Sequence, residues 1–207
     1  MNNIPFSTFD MSEDEAEIML ELYNGLKRLY STEVDPDFTL DIKSFDVFSH
    51  DEVNDYGPVF RITANDRTFY LNFIEVAYKT GGGKYSSSSH IEYQTWGSIE
   101  LKNDFGHILI KPETFLDKVY DFINPMDVDF DDDKEFSKKF LVVANDKLKA
   151  QLQLTQKLRD CIMGIELNEF VIEIMGNRLI IGNKKVVTAG SVFPFAKFLE
   201  KVCHTLL

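Results

Sequence analysis

Long apolar runs are missing from this chain: nothing approaches the ~18 consecutive apolar residues that a membrane-spanning helix requires, so membrane insertion is not expected. Residues 1–10 also lack the basic start and apolar middle of a secretory signal, and we expect a cytoplasmic protein. Cysteine is nearly absent. Cys161 and Cys203 are the two present, each among apolar residues at helical spacing, where a free thiol behaves as a small hydrophobe. A disulfide framework, a redox pair and a thiolate metal site are therefore set aside. Positive charge is short as well, with 22 basic against 34 acidic side chains, and the formal charge of -12 repels phosphate backbones and anionic lipid heads. Nucleic acid is not an expected partner, and the pairs Lys138-Lys139 and Lys184-Lys185 read as solvated faces.

The groupings that carry catalysis are missing too. His50, His90, His107 and His204 stand far apart, none at ligand spacing from a cysteine or another histidine, and no serine sits in a nucleophile elbow. Two stretches imitate sites without completing them. In residues 127–133 the carboxylates of Asp127, Asp129 and Asp131 match the first three ligand positions of a calcium loop. Asp132, however, stands where the turn glycine belongs and Lys138 where the closing glutamate does, so we read a solvated acidic loop. Residues 81–89, with Lys84 and Tyr85, combine glycine, lysine and serine. They lead into a strand pattern, whereas a phosphate loop must lead into a helix whose N–H groups meet the anion, and we expect a flexible hairpin tip. No catalytic, cofactor-binding or metal-binding residue is assigned, and no cofactor is expected.

What is present is well patterned. Phe140 to Ala144 is an apolar run of strand length, stopped by Asn145-Asp146, and Asp146 and Thr155 are placed to cap two short helices. In the second of these, Leu158, Cys161, Ile162 and Ile165 form one apolar stripe. Near the start, Ser12-Glu13-Asp14-Glu15 is a capping box, followed by Met19, Leu22, Tyr23, Leu26, Leu29 and Tyr30 at helical steps. The period then changes to two. Phe38, Leu40 and Ile42, then Phe45 and Val47, suggest strand about a bulge near Lys43-Ser44; residues 59–64 and 68–79 are strands joined by the turn Asn65-Asp66-Arg67. Residues 91–102 alternate cleanly, with Ile91, Tyr93, Thr95, Gly97 and Ile99 on a core face and Trp96 on the opposite, wet face, either under a covering loop or helix or in a binding groove. A strand over 107–110, a helix over 112–123, a hairpin about Gly176-Asn177 and a final helix over 194–204 complete the expectation. The fold class is α+β: an N-terminal helix, a largely antiparallel sheet with a long hairpin, then strand-helix-helix-hairpin-helix. Residues 1–207 form one chain without a linker, divided at the acidic stretch into lobes of 1–124 and 125–207.

The segment EFSKKFLVVANDKLKAQLQLTQKL, from Glu135 to Leu158, resembles part of a bacterial family known as domain of unknown function 3137. That family has an acidic-Phe strand, an acidic turn, an alanine in a first helix and a Leu-Thr at a second. Thr95-Trp96-Gly97 and the strand from His107 to Lys111 sit about where it has an aromatic-Gly strand and a second strand before a proline. The likeness covers the C-terminal half. It implies no activity and no site residues, since the family has none established. Many members resemble membrane-tethered proteins with apolar N-terminal segments, where this chain has the acidic helix from Ser12 instead.

These observations lead us to expect a non-enzymatic cytoplasmic binding or protein-interaction module, its partner an unidentified protein or small molecule, with Trp96, Lys84 and Tyr85 as the candidate binding surface. The alternative is an enzyme of unrecognised type acting on a small molecule, drawing residues from loops such as 51–56 or 127–133.

Overall fold

The Ser12 box forms as its chemistry requires. Ser12 Oγ accepts from the Glu15 N–H at 3.3 Å, the Glu15 carboxylate accepts from the Ser12 N–H at 2.8 Å, and α1 (Glu13–Leu29) follows. Glu13, Asp14 and Glu15 lie in its first turn and Lys27 and Arg28 in the last, as the helix dipole favours. The computed structural model describes residues 4–9, 11–64, 66–81, 87–114 and 126–206. After α1 come β1 (Ser31–Val34), two 3-10 turns (Ile42–Ser44 and Asp46–Phe48), β2 (Glu52–Ala64), β3 (Arg67–Gly81), β4 (Ser87–Glu100) and β5 (His107–Pro112). The second half carries β6 (Met126–Asp127), α2 (Lys134–Lys139), β7 (Phe140–Ala144), α3 (Lys147–Gln153), α4 (Gln156–Met163), β8 (Val171–Met175), β9 (Arg178–Val186) and α5 (Ala189–Leu206).

The fold is α+β. Among the described residues the strands form one sheet in the order β1-β2-β3-β4-β9-β8-β5-β7-β6, and every pair is antiparallel. Strand pairing runs across residue 124: β4 lies against β9, and β5 lies between β8 and β7. Two hairpins turn through two residues, since Ala64 pairs with Arg67 and Met175 with Arg178; Asp66 (φ 63°) and Gly176 (φ 62°) supply the left-handed backbone such turns need. The hairpin of β3 and β4 pairs as far as Gly81 with Ser87. Its tip, with Lys84 and Tyr85, lies outside the described residues, as does most of the helix expected over 112–123. Asp146 caps α3 through the Lys149 N–H at 3.0 Å, whereas Thr155 precedes α4 without a side-chain cap bond.

One face of the sheet carries helices. Leu71, Phe73, Ile99, Ile172 and Ile181 meet Met19 and Leu26 of α1, Leu158 and Ile162 of α4, and Phe195 and Leu199 of α5 in the larger core. Gly97 is where α5 comes closest, for a Cβ there would lie 2.5 Å from Leu199 Cδ1. The other face is covered by residues 38–51, an irregular strap. Here the structure corrects the expected strands at 38–47. A 3-10 turn repeats every three residues, so Ile42, Phe45 and Phe48 fall on one side and, with Leu40 and Val47, pack onto Ile74, Val76, Trp96, Leu109, Val143 and Ile180. The expected wet face of β4 is therefore dry: Gln94, Trp96 and Ser98 are all buried. No helix among the described residues is long and apolar enough to cross a membrane.

Candidate functional site

Glu173 is the acid in the middle of the apolar strand Val171–Met175, and its register places it beneath the strap with no exposed surface. A carboxylate buried there is costly unless its oxygens are matched by donors. Its Oε1 accepts the Asp46 N–H at 2.9 Å and its Oε2 the Val47 N–H at 3.0 Å, two groups at the start of the second 3-10 turn. His107, first residue of β5, brings Nε2 to 2.7 Å from Glu173 Oε1 and 3.8 Å from Asp46 Oδ2. One donor atom from each of Asp46, His107 and Glu173 lies within 4.8 Å of the others. At the end of the strap, Asp51 pairs with Lys184 of β9 at 2.9 Å. The strap is thus tied to the sheet by polar contacts from β5, β8 and β9.

A different arrangement lies on the helical face. Ile18, Leu22, Gly25 and Leu29 recur at steps of four, three and four along one side of α1. Phe193 of α5 rests on Gly25, where a Cβ would stand 2.7 Å from the ring. On one side of Phe193 is a hollow of about 590 Å³, lined by Ile18, Leu22, Val187 and Ala189 together with Glu21 and Arg28. On the other is a hollow of about 280 Å³, lined by Leu29, Cys161, Pro194 and Phe198 together with Lys197 and Lys201. Ile18 is 39% and Leu29 64% exposed, which leaves apolar surface open along the groove. Tyr30, in the smaller hollow, donates to Glu200 at 3.1 Å. Burial, then the Glu200 charge and hydrogen bond, push its phenol up to about 12.

Of the two readings of Trp96, the covering loop holds and the binding surface is corrected. Trp96 is fully buried under Phe48, ring centroids 4.7 Å apart, and its indole N–H donates to Gln94 Oε1 at 3.1 Å. Gly182 makes room for it, since a Cβ there would stand 2.4 Å from the indole; Trp96 is core and offers no contact surface. Lys84 and Tyr85 lie outside the described residues. The acidic stretch is engaged by Arg159, a buried arginine of α4: its guanidinium meets Asp132 at 2.7 Å and Asp133 at 3.1 Å and lies 4.4 Å from the Phe130 ring centroid. Burial acts to raise the Asp133 carboxyl, but the Phe136 N–H, Gln156 and Arg159 together outweigh it and hold the group below its usual range. Both thiols are free and buried, and burial pushes Cys203 up to about 11. Sequence reasoning missed Glu173, whose signal was a lone acid inside an apolar strand, and Phe193, whose signal was a bulky apolar residue before Pro194.

No protein-family model matches the chain, and no curated protein does. Among solved structures it is similar to the crystal structure of the mycobacterial trehalose monomycolate transport factor A, with a TM-score of 0.53 and 9% identity over 90% of this chain and 93% of that one. At that identity the likeness is one of fold alone.

Proposed function

We propose that the chain is a non-enzymatic cytoplasmic binding module, and that it takes an apolar helical segment of a partner protein in the groove across Phe193. The observation that carries this is the pair of hollows on either side of Phe193 along the α1 stripe whose exposed members are Ile18 and Leu29. From Ile18 to Leu29 the stripe runs about 16 Å at 1.5 Å per residue, roughly three helical turns. A docked helix with anchors at i, i+3 or i+4, and i+7 needs about 10.5 Å, roughly two turns, and fits within that length. Arg28, Lys197 and Lys201 against Glu21 and Glu166 give the lining a small positive excess on a chain of net charge -12, which favours a segment with an acidic polar side. The resemblance of residues 135–158 to domain of unknown function 3137 belongs to the same reading and adds no chemistry to it. The transport role for which the mycobacterial factor is named stays with that protein.

The test is to titrate isotope-labelled protein with a panel of amphipathic helical peptides whose polar faces are acidic or basic. Shifts should concentrate at Ile18, Leu29 and Phe193, favour the acidic peptides and disappear in the Ile18→Glu, Leu29→Glu double variant. A panel that leaves these positions unmoved, or shifts that survive the double variant, would remove the proposal. The enzymatic alternative rests on the convergence of Asp46, His107 and Glu173; shifts confined to those residues on adding small metabolites would favour it instead.

A further inference from the structure

We infer that Asp46, His107 and Glu173 form a binding site for a divalent transition-metal ion that clamps the strap to the sheet. The three donors come from three separate elements and meet with their ligand atoms within 4.8 Å of one another. Metal–ligand bonds of about 2.0–2.2 Å to nitrogen and oxygen place neighbouring ligand atoms roughly 3.0–3.5 Å apart in octahedral or tetrahedral geometry. The separations from His107 Nε2, 2.7 Å to Glu173 Oε1 and 3.8 Å to Asp46 Oδ2, bracket that range, and the third is no more than 4.8 Å, so an ion enters by adjustment of the side chains. It takes the place of the contact between His107 and Glu173, with the imidazole neutral and its proton on Nδ1.

The surroundings are those of a held ligand. Glu173 is oriented by the Asp46 and Val47 N–H groups, the outer hydrogen bonds that metal-binding carboxylates commonly keep. The side chains of His107 and Asp46 are 13% and 29% exposed, against none for Glu173, which gives the ion a route in from one side. Two carboxylates balance the charge of a dication. One imidazole with two carboxylates suits zinc, manganese or iron(II), whereas calcium prefers six to eight oxygens. Because the ligands lie at residues 46, 107 and 173, only the folded chain assembles the site, and binding must stabilise it.

The experiment uses the full chain stripped with chelator and titrated with zinc chloride alone, followed by calorimetry and thermal melting. One zinc per chain and a dose-dependent rise in melting temperature are expected. Asp46→Asn and His107→Gln should each weaken binding by about tenfold or more. Asp46→Asn keeps the backbone N–H that Glu173 accepts, so it carries the test if His107→Gln does not fold. No uptake at millimolar zinc would overturn the site. Uptake of equal affinity in the folded variants would also overturn it, by placing the ion elsewhere, for instance among the acids of residues 127–133.

Discussion

The two faces of the sheet are covered by different means. On one, α1, α4 and α5 meet the strands through a broad set of apolar side chains; on the other, residues 38–51 lie down with two short 3-10 turns and no α-helix. An α-helix satisfies most of its own backbone groups and can dock by apolar side chains alone. A strap of 3-10 turns leaves N–H groups that need partners once water is gone. Glu173 supplies them for Asp46 and Val47. The helical face is therefore held by apolar packing, whereas the strap face adds buried polar ties to its apolar packing.

The sharpest way to break this comparison is Glu173→Ala. It strips two backbone donors and His107 of their acceptor in a dry site, and it should cost about 3–5 kcal/mol in urea unfolding. Glu173→Gln, which keeps an acceptor oxygen, should cost visibly less; equal costs would mean that the carboxylate is not what holds the strap. On the helical face Leu199→Ala should cost about 2–5 kcal/mol through the cavity it opens against Gly97, and hydrogen exchange in residues 38–51 should change no more than elsewhere. Selective loss of protection in the strap would show the two faces to be coupled. A smaller effect is expected from Gly182→Ala, whose added methyl meets the Trp96 indole and the Thr95 carbonyl and should cost about 1–3 kcal/mol by overpacking.

Smaller still is the tie between the acidic stretch and Arg159. The folded Asp133 carboxyl lies below its usual value, so the deprotonated form is the one folding favours. Its contribution is full above the unfolded value of about 4 and is lost as pH falls through the lower folded value. Asp133→Asn should lower stability by about 1–2 kcal/mol at pH 7, and the gap to the parent chain should close on acidification; a gap that is constant with pH would mean the charge plays no part. The smallest expected effect is at the thiols. With burial holding Cys203 up to about 11 and Cys161 also buried, neither should label quickly without denaturant, and rapid labelling would show that the helical face opens.

Local patterns in the sequence were enough for the elements whose causes are local. The capping box at Ser12, the two-residue turns at Asp66 and Gly176, the apolar run of β7 and the cap at Asp146 each depend on residues within a few positions of one another, and so does the α+β class that they add up to. Residues 38–47 read as strand because alternation and a three-residue repeat place nearly the same apolar residues in a short window, and only the sheet beneath decides between them. The fate of Trp96 followed from that cover and from the space left by Gly182, which lies 86 positions away in sequence. Asp46, His107 and Glu173 met because β5 inserts between β8 and β7. Glu173 stood out as a lone acid in an apolar strand, but nothing near it in the chain names its partners: the pairing order of the strands and the path of the strap determine which residues become its neighbours.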